Sequence, residues 1–267
     1  DPLDYISSIS KDTDCQVAAQ KIRNDLEINE NWYLGFRSAH DEFVFLRERL
    51  ESKGIVVMVS GIVGNNTHRS LSLEEFRAFA IVDSYAPLIF VNSKDSKNGR
   101  LFSLCHEVAH IWFGEDSLYN DCGMLDSKYR NDLEVKCNAI AAELLVPNAA
   151  FVNKWLETEG GYKNKTEEFS NFFNVSMLVI ARRALDNNFI TKEQYLKISY
   201  ETSKVVSQIK KSDGGDYYNT ARFNLDNRFF KAVNRSLKQG RTAFTEAYRL
   251  TGLNGKSYDK MESLIGG

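Results

Sequence analysis

Hydrophobic positions change their spacing several times along this chain, and each change marks an element. Between about Thr13 and Leu34 they recur as Val17, Ala18, Ile22 and Leu26 among charges, which predicts a helix with Asp14 as its cap. Phe43, Leu46 and Leu50 then share one face of a second helix, with Ser38 placed to cap it and Lys53-Gly54 to close it. Past Gly54 the pattern becomes short β-branched runs. Residues 55–59 predict a strand and residues 61–70 a Gly/Asn-rich loop. Residues 75–82 and 88–91 predict two more strands, joined across residues 84–87 as an antiparallel hairpin.

Helical spacing returns after Asn92, Ser93, Lys94, Asp95 and Ser96 and stops at Gly114. A polar segment follows to about Arg130, with Asp121 and Asp126 among its acids. A second apolar helix runs from Asn131 to Pro147, and a further one covers residues 148–157. In the former, Val135, Ala139, Ala142 and Leu145 predict a face that packs closely on another helix. Residues 166–190 read as two short helices around Asn174-Val-Ser176, the second carrying Arg182 and Arg183. The outline is that of a helix-turn-helix, but two arginines and a turn are weak evidence for one, and the reading preferred is an ordinary helical hairpin. Residues 191–211 predict a long polar helix, residues 212–215 a hinge, and the tail a helix at 242–250. The divisions expected are an N-terminal helical segment (1–54), a core (55–160), a helical region (161–212) and a basic helical tail (213–267). The fold class expected is α+β, a small antiparallel sheet packed on the apolar helix that ends at Gly114, with a mostly helical C-terminal region.

At 267 residues and 43% hydrophobic, the chain can bury a sizeable core. A net charge of −2 gives no bulk reason to expect a nucleic-acid or membrane partner. The charge is uneven, however: from Lys204 onward there are twelve Lys/Arg against six Asp/Glu, a weak pointer to an acidic partner. No apolar run reaches the ~20 residues of a membrane span, and there is no secretory core. Cys15, Cys105, Cys122 and Cys137 form no C-x-x-C pair. Together these suggest a cytoplasmic protein that engages no membrane. The opening Asp1-Pro2, without methionine, suggests a processed or trimmed chain with something upstream missing.

The chemistry concentrates in Leu101-Phe-Ser-Leu-Cys-His106-Glu107-Val-Ala-His110-Ile-Trp-Phe-Gly114. On a helix, His106 and His110 stand one above the other, able to hold one metal ion with Glu107 beside it as general base. Phe113 and Asp116 occupy the third and sixth positions after His110, so a His-Glu-x-x-His-x-x-Gly-x-x-His continuation is excluded. The third ligand must come from elsewhere. Asp132, Glu134 and Glu143 are the carboxylates of the next apolar helix. Pattern favours Glu134, and Glu143 reads more simply as a solvent-facing residue. His68 ranks lower, as a ligand or a transition-state donor, and His40 reads as a surface residue.

Several segments carry a resemblance to the ImmA/IrrE-type metallo-endopeptidases. They are Glu75-Phe-Arg-Ala-Phe, Pro87-Leu-Ile-Phe-Val-Asn, the His106 segment, and Glu134-Val-Lys-Cys-Asn-Ala-Ile-Ala-Ala-Glu-Leu-Leu-Val-Pro147, the last departing from the commonest residues at Cys137, Ile140 and Val146. The resemblance covers residues 55–147 and implies a zincin-like domain. By it, His106, His110 and Glu134 are the metal ligands and Glu107 is the catalytic base. The ion is zinc by default, with manganese or iron as alternatives. It further implies a protein substrate, a helix-turn-helix repressor or antitoxin of the Xre type, and DNA contact through a fused or missing N-terminal helix-turn-helix. Residues 214–218 and 245–250 are similar to tails on many members. An extended substrate segment is expected to pair with a sheet edge at residues 76–82 or 88–91. The rival expectation is a non-catalytic regulatory module that binds DNA or a partner through residues 166–190 and the basic tail.

Overall fold

In the computed structural model, residues 1–63, 66–119, 132–206 and 223–265 are described. Expectations for Asp121, Asp126, Cys122 and residues 207–222, the hinge among them, fall outside these. Asp14 accepts from Gln16 and Val17 backbone N–H groups and starts α1 (Cys15–Leu26), which ends sooner than its polar continuation suggested, at Glu27 in the left-handed region. Ser38 caps α2 (Ala39–Ser52) as expected.

The chain then lays down β1 (Val56–Ser60), β2 (Ile62–Val63), β3 (Asn66–Ser70), β4 (Ala78–Ile81) and β5 (Leu88–Asn92). After them come α3 (Lys97–Phe113), β6 (Ser117–Tyr119), α4 (Asp132–Leu145) and α5 (Asn148–Glu157). The helices α6 (Tyr162–Phe172), α7 (Met177–Asp186) and α8 (Lys192–Val206) follow. Past residue 222 lie α9 (Asn227–Lys238), α10 (Phe244–Thr251) and α11 (Gly255–Ile265).

The main sheet has the order β1-β5-β4-β6. β4 and β5 form the expected antiparallel hairpin, Ala78 opposite Val91. The sheet is mixed rather than wholly antiparallel, because β1 runs parallel to β5 with Val57 opposite Ile89. The cause is positional. β4 takes one side of β5, and β1 on the other aligns Val57 and Val59 with Ile89 and Val91, so that all four bury together. The segment 61–70, expected as loop, carries the β2–β3 pair. Neither strand proposed to receive substrate is an edge: β5 lies between β1 and β4, and β6 covers β4.

A continuous core runs from Tyr5 to Ile198, with α3 buried between the sheet and α2 and α4. The face of α4 that packs inward is Leu133, Cys137, Ile140, Ala141, Leu144 and Leu145; of the four residues expected there only Leu145 belongs to it, and Val135, Ala139 and Ala142 do not. Those three line a small pocket beneath α7 instead. A second cluster joins Leu225, Phe230, Val233, Ala247, Leu253, Tyr258, Met261 and Ile265, with Met58 of β1 packed on it. This C-terminal unit is moored to β1. The Val57 N–H donates to Asp226 Oδ2 at 3.2 Å, and the Val57 carbonyl accepts from Arg47 at 3.0 Å.

Candidate metal centre

Ser96 caps α3 through Gly99 N–H, and Gly114 ends it in the left-handed region at φ +75°. A Cβ at Gly114 would also collide with Ser7, so both conformation and space require glycine there. Between these ends, residues 103–113 are all buried, which fixes the two histidines without freedom to swing away.

His106 Nε2 lies 3.2 Å from His110 Nε2 and 3.1 Å from Glu134 Oε2, and His110 Nε2 lies 3.4 Å from Glu134 Oε1. Donors about 2.1 Å from a tetrahedral ion stand roughly 3.4 Å apart, so the separations and the N/N/O donor set fit a divalent metal. The electrostatics agree. Burial pushes His106 below its ordinary pKa, keeping a neutral ring with a lone pair to offer. Burial would raise Glu134, but its bonds with the two histidines outweigh that and hold it down to about 2, ionised as a ligand must be. The imidazoles are buried, whereas the Glu134 side chain is 37% exposed, so solvent reaches the centre from the α4 side.

Two groups that pattern reading missed orient this set. Asn138, one turn after Glu134 on α4, sits 3.0 Å from His106 Nδ1. With Nδ1–H donating to Asn138 Oδ1, Nε2 is left to face the metal position. The signal was available in the i,i+4 spacing from Glu134. Ser117, on β6, accepts from Ala80 N–H at 3.0 Å and donates to Glu107 Oε2. No sequence spacing pointed to it. Glu107 is buried and its Oε1 has no protein partner among the described residues. Burial, opposed by the Ser117 bond and reinforced by the Glu134 charge, lifts Glu107 to about 8.

A family model described as an IrrE N-terminal-like domain matches residues 50–185, which take in the whole four-stranded sheet, α3 and α4. The chain belongs to this peptidase family. A second family model, a domain of unknown function, matches residues 225–263, and no curated protein matches the chain. Among the described residues, no single helix is long and apolar enough to cross a membrane.

The other sequence candidates within the IrrE N-terminal-like domain fall away from the centre. Asp132 is exposed at the start of α4. His68 is exposed on β3 and outside the metal-binding group. Glu143 is neither a ligand nor solvent-facing. It is 5% exposed, takes the Arg183 guanidinium at 2.5 Å and accepts from Asn148 N–H at 3.1 Å, bracing α7 and the start of α5. Arg182 pairs with Asp186, so both arginines of the α6–α7 hairpin are engaged internally. His40, expected at the surface, is half-buried with its ring 5.3 Å from that of Phe223.

Proposed function

We propose that this chain is a metal-dependent endopeptidase that cuts a helix-turn-helix repressor or antitoxin of the Xre type, with zinc as the default ion and manganese or iron as alternatives. The observation that supports it most is the convergence of His106, His110 and Glu134 with the buried, half-satisfied carboxyl of Glu107 beside them. A bound divalent ion would polarise the scissile carbonyl and lower the pKa of a coordinated water. The protein's own part is positional and protonic. Beside the positive charge of a bound ion Glu107 is favoured in its ionised form, and Ser117 holds one of its oxygens, leaving Oε1 to take a proton from the attacking water and return it to the leaving nitrogen. Asn138 fixes the tautomer of His106.

β6 is the outer strand on this side of the sheet, with Leu118 exposed and Ser117 touching the base. An extended substrate segment laid along β6 brings its backbone past Glu107. The substrate class rests on the family resemblance, so the test names it: a helix-turn-helix protein encoded beside this chain, incubated with the purified metal-loaded protein. Site-specific cleavage is expected, abolished by a chelator and reduced at least 100-fold by Glu107→Gln with metal content unchanged. Equal cleavage by the Gln variant would overturn the mechanism. Intact substrate under every condition would favour a non-catalytic regulator.

A further inference from the structure

The charge of this chain is concentrated at one end. Residues 225–265 carry eight Lys/Arg against four Asp/Glu, while the whole chain has a net charge of −2. The rest is therefore acidic, and a small unit of opposite sign is attached to it. Within that unit the acids are largely occupied. Asp226 is buried and caps α9, Glu246 bonds Arg249, and Glu262 bonds Lys238 and Asn234, while the fourth acid, Asp259, is exposed on α11 between Lys256 and Lys260. Arg228, Lys231, Arg235, Lys256 and Lys260 are exposed with no acidic partner among the described residues.

The cations are ordered. Arg228, Lys231, Arg235 and Lys238 follow one another at intervals of three, four and three, which places them on one face of α9 over about 15 Å. Lys238 meets Glu262 of α11, so the stripe runs up to α11, which exposes Lys256 and Lys260. The frame is equally specific. α10 is eight residues long, Gly252 turns the chain at φ +67°, and α11 begins at Gly255. Ala247, Thr251, Leu253, Tyr258 and Met261 bury around that turn against Phe230 and Val233 of α9. A short helix, a three-residue turn with a left-handed glycine and a second helix, both packed on a third, have the connectivity of a helix-turn-helix.

We propose that the unit formed by α9, α10 and α11 binds double-stranded DNA, with α11 entering the major groove and the α9 stripe neutralising backbone phosphates. Residues 166–190 share the helix-turn-helix outline, but there Arg183 bonds the buried Glu143 and Arg182 forms a surface pair with Asp186. The mooring fits as well. The unit sits on β1, at the opposite end of the sheet order from β6 and its contact with Glu107, so bound duplex leaves the metal centre open. The inference stands independently of the peptidase reading.

The test is fluorescence anisotropy of the full chain with a labelled mixed-sequence 30-base-pair duplex, titrated at several salt concentrations. Five phosphate contacts give a slope of log Kobs against log[salt] of about −4.5, a loss of roughly 500-fold between 50 and 200 mM. Substituting Arg228, Lys231 and Arg235 together with Gln should reduce the slope to about −2 and the loss to roughly 12-fold. The same triple exchange at Lys163, Lys192 and Lys197, outside the unit, should change neither. Circular dichroism checks that the variants remain folded. The inference is overturned if the parent does not bind the duplex, if both triple variants weaken binding alike, or if a single strand of equal length binds as tightly. It is also overturned if vesicles of mixed phosphatidylserine and phosphatidylcholine are bound and the duplex is not.

Discussion

Glu42 is a carboxyl placed where a charge is costly. It is fully buried on α2, and Oε1 receives one bond from Asn174 at 2.8 Å, while Oε2 has no partner among the described residues. Burial, opposed by the Asn174 bond and aided by the Asp41 charge, lifts it from 4.5 to about 7. At about 1.36 kcal/mol for each tenfold change in proton affinity, that difference corresponds to roughly 3 kcal/mol. The sign follows from the native state holding the proton more tightly than the unfolded chain. Stability is full below about pH 4.5, is lost as pH rises towards 7, and stays reduced above it. Glu42→Gln preserves the shape and the acceptor for Asn174 but cannot ionise. Its stability relative to the parent should therefore rise by about 3 kcal/mol between pH 4.5 and pH 8.5. Urea unfolding followed by fluorescence of the buried Trp32, Trp112 and Trp155 measures this directly. Taking the difference between the two proteins cancels other titrating groups, Glu107 included. Parallel pH profiles for parent and variant would refute the argument.

Glu134→Ala should lose bound metal by at least tenfold while Glu143→Ala stays loaded, as measured by elemental analysis after dialysis. Glu143→Ala should instead cost about 2–3 kcal/mol of stability, because the largely buried Arg183 is left without its counter-charge. Ser117→Ala should lower kcat on any cleaved peptide by about tenfold with KM and metal content nearly constant, and Ser117→Thr should recover most of it. An equal loss in both variants would make Ser117 a packing residue only. Asn138→Leu should weaken metal binding by roughly 10- to 100-fold, read by competition with a chromophoric chelator.

The parts of this molecule legible in the sequence were those written in local pattern. Asp14 and Ser38 as caps, the β4–β5 hairpin, and the His106–His110 pair each depend on residues a few positions apart. Glu134 was reachable because its helix carries a recognisable run. Ser117 was not, since its contact with Glu107 exists only once β6 pairs with β4, a long-range event with no periodic trace. The inward face of α4 was misread at three of its four expected positions, Leu145 being the one that is buried, for a related reason. Val135, Ala139 and Ala142 look like a close-packing stripe, but α7 returns over them and leaves a pocket, and that return cannot be seen from α4 alone. Glu143 looked like a surface acid because its counter-ion, Arg183, lies 40 residues on. The parallel β1–β5 pairing was hidden because strand direction leaves no mark in a run as short as Val56-Val-Met-Val-Ser60.

The mooring of Asp226 has one more consequence, for how the protein can be divided. One carboxylate oxygen starts α9 and the other holds the Val57 N–H, a group on the side of β1 away from β5. A bare parallel edge of this kind is a template for another chain. A protein cut after residue 206 would keep His106, Glu107, His110 and Glu134, yet would present β1 and Met58 to its neighbours. Such a fragment should self-associate strand to strand, so the C-terminal unit also serves to cover the edge of the sheet.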